Sequence, residues 1–278
     1  MRDEDLSTAR ITSLATLERA IAEIGSLFSH ATPAIWRGHG NVAWPLRAEV
    51  FRPLHDSHHY DELALTQAFL AQAESRHRRC PPHGDVVGWL MLARQGGLPT
   101  RLLDWTRNPL VALYFAALPD PARPDADGCV WAVDPGVLNL RLTGRRALAA
   151  ADDPSLRPLF AAAFATPDPD DEPEADAVAA VRMREVDHRV LTQQGCYTIH
   201  QDGKDLTETD YRYVVDPLQP NPVWRRAFVV PRTHKRHLLD LLAAIGIQRS
   251  TLFLDLETLS DDLKRSVPRL ASEMATGF

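Results

Sequence analysis

Residues 98–117, LPTRLLDWTRNPLVALYFAA, set Arg101, Asp104, Trp105, Thr106 and Asn108 in an otherwise apolar run just ahead of a helix. One reading is local: Asp104 or Thr106 accepts the free N–H groups of the helix start, and Arg101 pairs with Asp104. The other is chemical. A loop and helix N-terminus carrying an arginine can hold an anionic or phosphate-bearing ligand, because a guanidinium grips such a group in a planar, bidentate way. Arg37 ends the apolar run Ala34-Ile35-Trp36 and is followed by Gly38 and His39, so it either pairs with a buried acid or faces a pocket. In Thr192-Gln193-Gln194-Gly195-Cys196-Tyr197-Thr198, two carboxamides precede a glycine and a strand. Glutamine donates and accepts at once, which suits an amide or a ribose hydroxyl and equally a turn or a strand edge.

Other groupings carry less. His55, His58 and His59 lack a Cys or carboxylate at ligand spacing to complete a zinc set, and His234 and His237 read as part of a solvated basic helix start. No GxSxG, HExxH, GxxxxGK[ST] or GxGxxG pattern occurs, so the usual hydrolase, zincin and P-loop answers lose support. Cys80, Cys129 and Cys196 are odd in number and far apart, which argues against a disulfide framework and for a reducing compartment.

The elements that must position these residues alternate along the chain. A helix within 14–30 is expected from Leu17, Ile21, Ile24 and Leu27, with Thr16 as its cap. Residues 34–38 read as a strand stopping at a turn, 56–79 and 85–94 as helices, and 98–105 as a break in periodicity before a helix opened by Asn108 and Pro109. Strands are expected at 129–133, 196–200 and 227–230, a helix at 233–245 ended by Gly246, and a last helix from 258 or 260 toward 270. The interleaving predicts one domain over 1–278, a mixed α/β (α+β) fold with a central sheet flanked by helices. The acidic, Pro-broken segment within 165–177 is expected to be a mobile loop.

At 278 residues and 31.0 kDa, 45% hydrophobic and 24% charged, the composition argues against global disorder, collagen and coiled coil. A net charge of -6 gives no global basic field, yet much of the acidity lies between Asp168 and Asp176. Arg37, Arg47, Arg52, Arg94, Arg101 and Arg107 are thus free to form a locally positive cleft. The acidic start and the absence of a long apolar run predict a cytoplasmic protein with no membrane partner.

Trp36-Arg37-Gly38, Leu98-Pro99-Thr100-Arg101-Leu102-Leu103-Asp104-Trp105-Thr106 with the Asn108–Ala116 helix start, Gln193-Gln194-Gly195 before a strand, and the closing Gly246-Ile247 and Leu252-Phe253-Leu254-Asp255-Leu256 together resemble the bacterial FRG domain. That family is named for a Phe-Arg-Gly motif, here with Trp first, and the resemblance covers about residues 35–263. Where the family often carries His-Tyr before Gly-Leu-Pro-Thr, this chain has Gln95-Gly96.

The resemblance implies an ADP-ribosyltransferase-like arrangement in a toxin or antiphage effector, using NAD as substrate and modifying RNA or protein, with an antitoxin or chaperone as a possible partner. On it, Arg37, Asp104 and Gln194 would be catalytic, Arg37 as the first-strand NAD contact and Gln194 at the third-motif position. Arg37, Gly38, Thr100, Arg101, Trp105, Thr106 and Tyr197 would bind NAD, with Trp105 or Tyr197 stacking on nicotinamide. No plain Glu stands at the third motif, and Glu185 is a poor substitute. No metal is implied. The alternatives are a non-catalytic nucleotide or nucleic-acid binding module and, less well supported, a nuclease, whose carboxylates the acidic segment is ill suited to hold rigidly.

Overall fold

Short apolar runs of five or six residues build the centre of the molecule. The computed structural model describes residues 6–28, 32–54, 58–165, 177–183, 188–207 and 223–266. Strands β1 (Leu6–Arg10), β2 (Ile35–His39), β3 (Leu102–Thr106), β4 (Gly128–Val133), β5 (Ala149–Ala150), β6 (Val178–Arg182), β7 (Gly195–His200) and β8 (Arg225–Val230) form one eight-stranded sheet in the order β1-β8-β4-β2-β3-β7-β6-β5. Inner pairs are antiparallel; the edge pairs β1–β8 and β5–β6 are parallel. With helices between them the fold is mixed α/β.

The sheet is not continuous at its middle. β2 runs the length of β4, and β3 the length of β7, but β2 and β3 meet at a single pair, Trp36 with Thr106. Beyond that pair they part, leaving a central gap where backbone groups look for other partners.

Three clusters cover the sheet. On one face Trp36, Val130 and Phe228 pack under α1 (Leu14–Leu27), α4 (Pro109–Ala117) and α8 (Arg232–Ala244). On the same face of the other half, Leu102, Val181 and Ile199 pack with Leu90 and Met91 of α3 (Val86–Gln95) and Phe160 of α6 (Arg157–Ala161). The opposite face holds Ile35, Trp131, Leu103, Trp105 and Cys196 beneath α5 (Pro135–Thr143) and a strap carrying Leu46 and Ala48. Each fully buried aliphatic side chain here contributes about 1.5–3 kcal/mol.

Local chemistry sets the boundaries. Ser13, not Thr16, caps α1; Thr16 lies three residues on and completes the capping box by accepting from the Ser13 N–H. α4 is capped by Asn108, which accepts from Leu110 N. Asp104 takes no part in that cap, and Thr106 acts one step back by accepting from Asn108 N. Gly38 and Gly128 let α4 lie against the sheet, because a Cβ on either would overlap a main-chain carbonyl of α4, that of Ala112 or of Ala116.

Several sequence expectations change. The stretch read as an aperiodic loop contains β3, a central strand, since Leu102, Leu103 and Trp105 are buried on both faces. The helix expected over 56–79 is shorter, α2 (Glu62–Ala73), capped by Asp61. β1, β6 and α5 were not anticipated. α7 (His188–Thr192), α9 (Arg249–Leu252) and α10 (Leu256–Ser266) complete the described helices. The acidic segment from Asp168 to Asp176, Glu185 and His55 lie outside the described residues. No described helix is long and apolar enough to cross a membrane.

Candidate functional site

The gap between β2 and β3 collects charge. Arg37 starts on the face that holds Ile35 and Trp131 and turns into the gap, where its Nη1 donates to the Asp104 carbonyl at 2.5 Å and lies 4.0 Å from the Asp104 carboxylate. Its Nε donates to His39 Nε2 at 2.8 Å. From α3, Arg94 holds Asp104 through both carboxylate oxygens, at 3.3 and 2.5 Å, and reaches Glu49 at 2.7 Å. Glu49 opens a 3-10 turn, Glu49–Phe51, in the strap after β2, and Arg52 follows it. Arg94 therefore ties two carboxylates from two elements to one guanidinium.

Positive charge is in excess here. Burial lowers the Arg37 pKa to about 10; Asp104 opposes the shift, while Arg52 and Arg94 add to it. Arg52 is also lowered, by burial first, with Glu49 opposing. Burial disfavours charged Arg94 too, but Asp104 and Glu49 overcome it and raise its pKa above the usual arginine value. Arg52 gives one hydrogen bond, from Nε to the Arg47 carbonyl, and the buried Nε of Arg47 has no partner. Arg37, Arg52 and Arg94 thus share Glu49 and Asp104, with Arg47 adding positive charge beside Arg52, an arrangement that favours an anion.

Two histidines border Arg37 on its own face. Arg Nε can only donate, so His39 Nε2 accepts and the His39 proton sits on Nδ1. Burial, then Arg37 and Arg52, hold His39 well below its ordinary value, with the Trp44 backbone opposing. His200 is lowered to about 3 by burial, then by Arg101 and Arg37.

The other sequence-derived candidates lie elsewhere. Arg101 does not meet Asp104. It pairs with Glu62 at 2.7 and 3.0 Å and gives its remaining N–H groups to the carbonyls of Leu159 and Ala162 and to Gln201. All five of its donors are used and it is 5% exposed, so none is left for an external anion. Thr100 is buried, and Thr106 donates to the Gln193 carbonyl at 2.5 Å. Trp105 is sealed in the core, its indole N–H on Thr198 Oγ1 at 3.0 Å, and Tyr197 is buried in the cluster under α3 and α6. Gly38 faces α4, on the side away from the root of Arg37. Gln194 is exposed in a left-handed turn before β7, opposite Arg107, roughly 10 Å along the ladder from Asp104. The structure brings Arg37 and Asp104 together and leaves Gln194 outside their cluster. Cys129 and Cys196 are buried and their thiols pushed up to about 12, so neither is a nucleophile at neutral pH.

Glu49, His200 and Trp131 carry no motif of their own. Their place depends on which strands and turns lie beside Arg37, which spacing along the chain does not disclose.

The family model of the FRG domain matches residues 32–124. The chain carries an FRG domain. No curated protein and no solved structure matches the chain. The matched stretch contains β2, the strap, α2, α3, β3 and α4, and so the whole Arg37, Glu49, Arg52, Arg94 and Asp104 cluster. Trp131, Gln194, Tyr197 and His200 lie beyond it.

Proposed function

We propose that the FRG domain of this chain binds the pyrophosphate of NAD at the β2–β3 gap and transfers ADP-ribose to a macromolecule, RNA or protein, as a bacterial toxin or antiphage effector. The observation that carries the reading is the four-arginine, two-carboxylate cluster of Arg37, Arg47, Arg52 and Arg94 with Glu49 and Asp104. An acceptor nucleophile attacks C1′ of the nicotinamide-bearing ribose, the glycosidic bond breaks, its electrons leave with neutral nicotinamide, and the acceptor gives up its proton. The transition state is oxocarbenium-like, so a fixed carboxylate beside the pyrophosphate grip lowers its energy. Asp104 and Glu49 are half-exposed and held by Arg94. They fill the role for which the third motif offers no glutamate. Gln194, exposed at the rim, is placed to contact the acceptor.

Purified full-length protein with labelled NAD and cell extract tests this. Label transfer or nicotinamide release is expected, and Arg37→Ala and Arg52→Ala should abolish or cut it strongly. Neither product from the parent protein would sink the reading.

One observation favours a second reading, a non-catalytic nucleotide-binding module: Trp105 and Tyr197 are sealed, so neither offers a ring to nicotinamide. In that case ligand binds without turnover and weakens with salt.

A further inference from the structure

A dinucleotide carries a heteroaromatic base at each end of its pyrophosphate, and a site that grips the phosphates gains affinity from a ring on which a base can lie. Trp105 and Tyr197 are sealed in the core, but the strap after β2 holds another ring. Among the described residues, the large aromatic side chains left exposed are Trp44, at 42%, and Tyr60, at 36%. Trp44 is tied to the arginine cluster. Its indole meets the His39 ring edge to face, with centroids 6.0 Å apart and planes at 62°, and His39 Nε2 accepts from Arg37 Nε at 2.8 Å. One imidazole thus separates the indole from the Arg37 guanidinium, a span that the sugar between a base and its phosphate can bridge. The same strap supplies Arg52 and, three residues beyond Trp44, Arg47, whose buried Nε has no hydrogen-bond partner.

The turn that carries Trp44 is fixed on both sides. Trp44 N donates to the Asn41 carbonyl at 3.1 Å and Ala43 N to Asn41 Oδ1 at 2.9 Å, while the buried Asn41 side chain donates to Asp120 at 2.8 Å. Val42 N donates to the Asp127 carbonyl at 2.8 Å, and past Pro45 Leu46 N donates to Asp205 Oδ1 at 2.9 Å. A ligand therefore meets an exposed ring on ordered backbone, which lowers the entropy lost on binding. Single exposed aromatics are normal on a protein surface and call for no partner. Trp44 differs in its pinned turn, its contact through His39 with Arg37, and the unused arginine donor in its own strap.

We propose that Trp44 is the base-stacking platform of the site: its indole carries one heteroaromatic base of the ligand, adenine or nicotinamide, while Arg37, Arg47 and Arg52 hold the phosphates beside it. The proposal rests on the nucleotide-binding reading above and serves it with or without turnover. Stacking tolerates any base, so the indole selects nucleotides over free phosphate and leaves the choice of base to other contacts.

The test titrates full-length protein with sodium pyrophosphate, ADP-ribose, nicotinamide mononucleotide and NAD, by calorimetry and by the indole signals of 15N-Trp protein, that of Trp44 being assigned with Trp44→Phe. Trp44→Ala is expected to weaken NAD binding about tenfold, the loss typical of one stacked base, and to leave pyrophosphate binding unchanged. Trp44→Phe should recover most of the loss. A loss with ADP-ribose but not with nicotinamide mononucleotide assigns adenine to the indole, and the reverse assigns nicotinamide. In the parent protein the base-bearing ligands, and not pyrophosphate, should move the Trp44 signal upfield, as a ring lying over the indole does. If ADP-ribose binding depends on Trp44 while NAD does not bind, the platform stands and the NAD reading falls. If Trp44→Ala binds all three base-bearing ligands as tightly as the parent, the platform is overturned, and pyrophosphate binding that is lost in Arg52→Ala shows the anion site to stand without it. If neither ADP-ribose nor NAD binds more tightly than pyrophosphate, the platform and the nucleotide reading fall together. The parent's own Trp44 signal keeps the test decisive should Trp44→Ala fail to fold: unmoved at saturation by every base-bearing ligand, it overturns the platform.

Discussion

Arg101 and Arg37 are alike in type and opposite in surroundings. Arg101 is ringed by acceptors, and Glu62 cancels its charge inside the protein. Breaking such a pair from one side leaves a buried charge uncompensated, which costs about 3–5 kcal/mol. Arg101→Ala is therefore expected to lower unfolding stability by that amount in urea titrations, and a drop below about 1 kcal/mol would show the pair to be dispensable. Arg52 predicts the reverse. Its guanidinium gives one hydrogen bond, to a carbonyl, and repels its neighbours. Arg52→Ala should leave the urea midpoint nearly unchanged while weakening pyrophosphate binding about tenfold, measured by calorimetry. Arg37 and Asp104 were legible as motif residues, and an acid beside Arg37 was one of its two open readings, but the partner expected for Asp104 was Arg101. That Arg101 belongs to a different partner was not legible, because Glu62 reaches it from a separate helix that no local spacing connects to it.

At the scale of elements, the Trp-Arg-Gly run divides its work between the two faces of β2. Arg37 goes to one side, and Gly38 admits α4 on the other. Gly38→Ala sets a methyl against the main chain of α4, so helix and strand must separate; overpacking of this kind costs typically about 1–3 kcal/mol and here acts on backbone that cannot rotate away. The expected outcome is a loss of at least that size in thermal or urea unfolding, together with weaker anion binding as β2 shifts under Arg37. An Ala variant as stable as the parent would mean that α4 has slack not visible in the packing. β3 was missed in the sequence for a related reason. Its apolar residues fall on both faces, and Asp104 interrupts the run, so neither alternation nor a continuous hydrophobic stretch announces a strand. β2, β4, β7 and β8 were readable because their runs are apolar or aromatic and bounded by turn residues. The gap between β2 and β3, which makes the site, is a matter of pairing and leaves no mark in either strand's own sequence.

For the whole molecule, the two buried histidines couple the site to global stability. Both stay neutral in the folded protein, His200 to about 3 and His39 well below its ordinary value, each held there first by burial and then by neighbouring arginines. The unfolded chain takes up these protons near pH 6.5. Between that pH and the folded value the unfolded state binds more protons, so stability rises with pH: it is complete above about pH 6.5 and is lost as the pH falls toward 3. One such histidine removes about 2 kcal/mol between pH 7 and pH 5, a window largely above the carboxylate range. Urea midpoints at pH 7, 6 and 5 should fall accordingly, and His200→Gln, neutral throughout, should show roughly half the slope. Through these rings, a bound anion that leaves both neutral should raise stability equally at each pH and keep the slope, because the folded state already holds no extra proton on either; one that drew a proton onto His200 would flatten it. The slope with and without ligand therefore reports, from unfolding alone, whether the two rings stay neutral when the anion binds.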